Sequence, residues 1–170
     1  MSDSELKNQE ELKRIIRLWL GIFIFLLILS GATAFPLAWE TNLLRQWTEG
    51  PFMQQAAPDL ASWIKRVHQG IHASYNEYPF LAYATDWLAF AHIVIGIAFI
   101  GPLRDPIRNI WVIEFGMIAC LLVLPFALVC GPIRGIPFFW QLIDCSFGVF
   151  GLIPLSISYF YTRKLGRFDE

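Results

Sequence analysis

Four stretches of about twenty residues carry almost no charge, and that is the length a helix needs to cross a hydrocarbon core of ~30 Å. They fall at approximately 18–37, 80–100, 110–130 and 137–161. Lipid offers the backbone no hydrogen-bonding partner, so spans of this kind fold as helices that satisfy their own N–H and C=O groups. The expected fold is therefore an all-α integral membrane protein. It forms one membrane domain over 1–170, a bundle of four transmembrane helices with an amphipathic helical outer loop at 38–79. Composition agrees: hydrophobic residues make up 56% and charged residues 16%, against roughly 25% charged in soluble domains.

The first stretch admits a second reading. A charged start, an apolar run and Ala32-Thr33-Ala34 resemble a cleaved secretory signal, with a mature chain beginning at Phe35. Against it, the polar leader is long and rich in acids. The remaining spans are the same in either case.

Lys and Arg mark the cytoplasmic side of a membrane protein. Of the 13 in the chain, Lys7, Lys13, Arg14, Arg17, Arg104, Arg108, Arg163, Lys164 and Arg167 fall on one side of the four spans. Arg45, Lys65, Arg66 and Arg134 fall on the other. Both termini are thus expected in the cytoplasm, and the host membrane is expected to be a bacterial inner membrane. Trp39, Trp47, Trp63, Trp87 and Trp140 then gather at the outer interface, with Trp19 and Trp111 at the inner one, as an aromatic belt.

Pro51, Pro58 and Pro79 break the outer loop into pieces. Its most helical piece is 59–74, where Asp59 is placed to cap the start. Leu60, Ile64, Val67 and Ile71 recur there at helical spacing, the pattern of a helix lying on a membrane surface. A shorter piece around Leu43, Leu44 and Trp47 is expected to do the same.

Ionisable groups inside a bilayer cost ~2.5–3.5 kcal/mol or more, so they are where a function is sought. His92 lies deepest, on a stripe with Thr85, Ala89 and Gly96, and small residues mark the face where another helix approaches. Asp86 lies on the same span, Gln141 and Asp144 on the fourth, and Arg134 in the adjoining loop. These are expected to converge towards the outer leaflet, with Arg134 pairing one carboxylate. Above them His68 and His72 share one side of the loop helix, four residues apart, a spacing used by helical metal sites. Glu114, near the inner boundary, is expected to pair with Arg104 or Arg108.

Three chemistries fit these residues. His68, His72, His92, Asp86 and Asp144 have the donor types of a transition-metal site. His92 alone could serve as an axial ligand to haem b beside Gly96, with Met117 a poorly placed second ligand. Asp86, His92 and Asp144 could carry protons or ions. Hydrogen bonds that fix helix register explain the same residues without any ligand, at ~0.6 kcal/mol each.

The net charge of −1 gives no basic field for nucleic acid. Cys120, Cys130 and Cys145 are an odd number with no C-x-x-C spacing, as expected of buried thiols. No phosphate-binding loop, dinucleotide fingerprint, nucleophile elbow or metalloprotease motif is present. The leading expectation is a small non-enzymatic subunit or accessory factor. Its partners are the lipid bilayer together with other membrane subunits or copies of itself. The alternative is a metal- or haem-binding redox or transport component. A membrane-embedded enzyme using the outer carboxylates is a third class.

Overall fold

The computed structural model describes residues 3–168, and these are helical nearly throughout. The helices are α1 (Asp3–Ala32), α2 (Leu37–Thr48), α3 (Pro51–Ala56), α4 (Pro58–Glu77), α5 (Ala82–Ala98), α6 (Ile100–Arg104), α7 (Ile110–Ile133) and α8 (Phe138–Gly166), with a short 3₁₀ turn at Pro79–Leu81 before α5. Among the described residues four segments are long and apolar enough to cross a membrane: Leu6–Ala32, Pro79–Arg104, Ile110–Ile133 and Phe138–Gly166.

The boundaries differ from expectation where local chemistry intervenes. The first span stops at Ala32, and Leu37 opens α2. Pro36 disfavours the helical region for the residue before it, so the chain turns over 33–36. The third span runs on through Pro132 to Ile133. Gly135 follows with φ of 69°, the left-handed conformation that suits a residue without Cβ. Asp59 does not cap α4: Ala57 occupies that position without a side-chain bond, and Asp59 sits within the first turn. There its charge still favours the positive end of the helix dipole.

Contacts divide the chain into two compact units. One combines the chain up to Leu26 with the part from Ile95 onward, and the other is Leu27–Val94. In the first unit Leu12, Ile16, Leu20 and Phe23 form a buried stripe along α1, at the three- and four-residue intervals of a helix face. The Phe23 ring tilts against Phe99 with centroids 4.8 Å apart, and Phe99 is wholly enclosed.

Helices α7 and α8 pair closely. A Cβ on Gly148 would collide with the carbonyl oxygen of Cys120, and one on Gly151 would come 2.7 Å from the Cys120 Sγ. A Cβ on Gly116 would lie 2.6 Å from the Phe99 ring. Glycine lets backbones approach where lipid supplies no hydrophobic drive, so dispersion becomes the main attraction. Pro154 stands inside α8 and cannot donate to the carbonyl one turn back. Its own carbonyl accepts the Ser158 hydroxyl at 2.8 Å.

In the second unit α2 packs on α4. The buried residues are Thr41 and Thr48 on α2, and Ala61 and Ile64 on α4. Helix α2 thus turns a polar stripe inward. Trp39, Leu43 and Trp47, at intervals of four, stand 61%, 44% and 63% exposed. A soluble protein buries such a stripe, whereas a helix lying in a membrane interface presents it to lipid.

Candidate functional site

Polar side chains of Leu27–Val94 gather where α2 meets α4. Thr41, Arg45 and Thr48 are three and four residues apart, so they share a face. Arg45 Nη1 donates to both Glu49 carboxylate oxygens at 2.7 Å, and Nη2 to Asn42 Oδ1 at 3.3 Å. The pair is an i,i+4 bridge, less exposed on the Arg45 side (29%) than on the Glu49 side (45%). The buried stripe of α4 continues from Ala61 and Ile64 into half-buried His68 and His72.

The two imidazoles stack at 4.2 Å between centroids, tilted by 53°. His68 Nδ1 and His72 Nε2 are both sealed from water without a hydrogen-bond partner, as is Arg45 Nε. Burial pushes His68 below the ordinary histidine value, and the neighbouring His72 and Arg45 charges push the same way, while Glu49 opposes them. The shift favours the neutral imidazole, the form that ligates metals and accepts hydrogen bonds. Further along α4, Tyr75 bonds to Thr85 at 3.2 Å. Thr85 gives its own proton to the Ala82 carbonyl at 2.7 Å, so Tyr75 is the donor.

His92 faces protein, as its small-residue stripe predicts. Ala89 is fully buried, and a Cβ on Gly31 would run into the His92 side chain. His92 Nδ1 lies 2.8 Å from the Leu88 carbonyl. A carbonyl only accepts, so Nδ1 carries the proton and a neutral ring keeps its lone pair on Nε2. Thr85, Asp86 and His92 belong to this unit. Gln141, Asp144 and Arg134 belong to the other.

Gln141 is 4% exposed, and its Nε2 donates to the Ile136 carbonyl at 2.7 Å, closing the turn that joins α7 to α8. Asp144 is half-buried on α8, and Arg134 is exposed at the end of α7. The ion pairs among the described residues are Lys13–Glu10 and Arg45–Glu49. The expected bridge from Arg134 to a carboxylate is therefore not formed. Nor is the expected pair of Glu114 with Arg104 or Arg108. Glu114 is exposed on α7.

Of the sequence candidates, then, the fold brings His68 to His72, and His92 to the first span. Among the described residues no three His, Cys, Asp or Glu side chains are grouped closely enough to hold a metal ion. Cys120, Cys130 and Cys145 are free thiols. The Arg45–Glu49 pair at the edge of the α2–α4 contact was not anticipated. Its signal was present in the i,i+4 spacing of opposite charges on a stripe with Thr41 and Thr48. No known family model, curated protein or solved structure matches this chain.

Proposed function

We propose that this chain is a non-enzymatic subunit or accessory factor of a membrane assembly, seated in a bacterial inner membrane with both termini cytoplasmic and α2–α4 on the outer surface. The observation that carries the reading is how the polar groups of the spans are used. His92 bonds Leu88, Gln141 bonds Ile136 and Ser158 bonds Pro154. Each spends its hydrogen bond inside the chain, next to a close helix approach or a proline. Such groups fix helix register. Meanwhile only 22–28% of each span's most apolar stretch is buried, which leaves wide apolar faces for lipid and for other spans.

Two measurements test this. A photoreactive residue replacing Phe126 or Phe147, which are 70% and 63% exposed on α7 and α8, should give discrete protein adducts in native membranes. Lipid adducts alone, with a monomeric mass in mild detergent, would remove the subunit reading. Labelling Ser4→Cys and Gln55→Cys variants in intact cells should mark only Gln55→Cys. Labelling at Ser4→Cys from outside would reverse the orientation.

One observation favours the second reading, a metal-binding component. The stacked His68–His72 pair has two sealed, unpartnered ring nitrogens, and water or a partner's residue would have to complete the coordination. Elemental analysis of the purified wild type beside His92→Ala and His68→Ala/His72→Ala separates the cases. Stoichiometric iron, zinc or copper that one variant loses identifies the ligands. A metal-free, well-folded wild type purified without chelator removes a tight metal or haem site.

A further inference from the structure

We propose that a cleft at the charged end of the first unit binds the phosphate of an anionic phospholipid headgroup. The cleft has a volume of about 300 Å³. Lys13 and Arg17 of α1 line one side, Arg104 and Asp105 at the end of α6 another, and Leu165 of α8 contributes its floor.

Positive charge at the end of a span is ordinary topology, but three features here are not explained by topology. The cations line a concavity, and its lining holds three of them, Lys13, Arg17 and Arg104, against a single carboxylate. That carboxylate is held in its turn, since Asp105 Oδ1 accepts the Arg108 N–H at 3.0 Å, and its single charge leaves the lining net positive. Arg17 is also held in place, its Nε donating to the Leu103 carbonyl at 3.3 Å, which leaves the terminal guanidinium nitrogens for a ligand. Among the described residues the competing ion pair is Lys13 to Glu10 at 3.3 Å, which is exposed, and such pairs contribute little and exchange readily. A phosphate is the group whose charge and oxygens match an arginine fork beside an ammonium.

The depth of the cleft selects a lipid over soluble phosphate. Leu18 follows Arg17 directly and opens the apolar run, and Leu18, Ile22 and Phe25 stand 60%, 38% and 65% exposed along α1. Gly21, one turn beyond Arg17 on the same side of the helix, has open space where a Cβ would stand. A phosphate in the cleft therefore lies at the boundary where acyl chains begin. Basic pockets between span ends bind lipid headgroups in this way.

The test is a titration of the detergent-solubilised full chain with short-chain phosphatidylglycerol, short-chain phosphatidylcholine or inorganic phosphate, read by native mass spectrometry. The wild type should bind one phosphatidylglycerol at least tenfold more tightly than phosphatidylcholine, on the order of two surface charges' worth of attraction. Arg104→Gln should weaken it about fivefold, and Lys13→Gln/Arg104→Gln about twenty-five-fold. Arg17 is left intact because it also ties α1 to Leu103. Arg66→Gln, an exposed cation of α4, should change nothing. Equal binding of the two lipids by the wild type overturns the proposal, as does a double variant that binds phosphatidylglycerol like the wild type. Should the double variant fail to fold, the single variant and the wild-type lipid preference still decide. Displacement of the lipid by inorganic phosphate at equal concentration would assign the cleft to soluble phosphate and overturn the lipid assignment.

Discussion

Two helix pairs in this molecule solve the same packing problem in opposite ways. Helices α7 and α8 meet through glycines, so close that a Cβ on Gly148 would strike the Cys120 carbonyl. Helices α2 and α4 meet through Thr41, Thr48, Ala61 and Ile64, with a charged pair and a histidine pair alongside. The difference follows from the solvent. Between spans, lipid competes with apolar side chains on equal terms, so attraction comes from backbone proximity and dispersion. At an interface, water penalises apolar surface, and polar side chains can face inward only if their groups find partners. Arg45 finds Glu49 and Asn42. His68 Nδ1 and His72 Nε2 find none. The span pair thus packs backbone to backbone, and the α2–α4 layer keeps titratable and charged side chains at its contact.

The sharpest way to break the contrast is Gly148→Ala. The obstructing atom is a backbone carbonyl, which cannot rotate aside, with Leu124 and Val123 carbons also within 3.0 and 3.2 Å. Overpacking of this kind costs about 3 kcal/mol. Thermal unfolding in detergent should show the loss, and a melting temperature equal to the wild type's would mean that the helices are not in backbone contact.

Gly131→Ala should cost less, about 1–2 kcal/mol, because its obstruction is a side chain. The new Cβ would lie 2.6 Å from Gln141 Cγ, and moving Gln141 sacrifices its bond to the Ile136 carbonyl. The same change in a Gln141→Ala background should be nearly neutral. A full additive cost in the double mutant would show that the two residues do not interact.

The comparison also explains how much could be read from the residues. The spans were legible because charge-free runs of that length have one solution in lipid. The inward face of His92 was legible because Ala89 and Gly96 mark a stripe. The end of the first span was misplaced because apolar composition continues to Leu37 while Pro36 quietly ends the helix. The Arg45–Glu49 pair was overlooked because Leu43, Leu44 and Trp47 draw attention to the opposite face of α2. The pairs expected of Glu114 and Arg134 failed for a different reason: spacing in the sequence places charges near one another without fixing where they point, and both side chains are exposed.

Gly70→Ala should move the other way. Gly70 lies inside α4 with nothing within 4 Å of a would-be Cβ, so alanine adds helix propensity without a clash. A gain of about 0.5–1 kcal/mol is expected. Protease resistance of the α2–α4 segment should rise, and a fall would mean that this face is covered in the membrane.

The smallest effect concerns acidity. His68 is held below the ordinary histidine value by burial, then by His72 and Arg45, with Glu49 opposing. In the window between that lowered value and the ordinary one, the unfolded layer binds more protons than the folded layer. Stability therefore rises with pH through the window. It is fully present above the ordinary histidine value and is lost as pH falls towards the lowered one. Amide exchange along α4, followed from pH 8 to pH 5, should show protection declining in the wild type. His68→Gln should flatten that decline. The half-exposed setting keeps the effect small through solvent screening, so the informative quantity is the difference in slope. Identical slopes would assign the acid response to another group, and Arg45→Ala, which removes a cation that lowers His68 and leaves Glu49 unopposed, should flatten the decline as well.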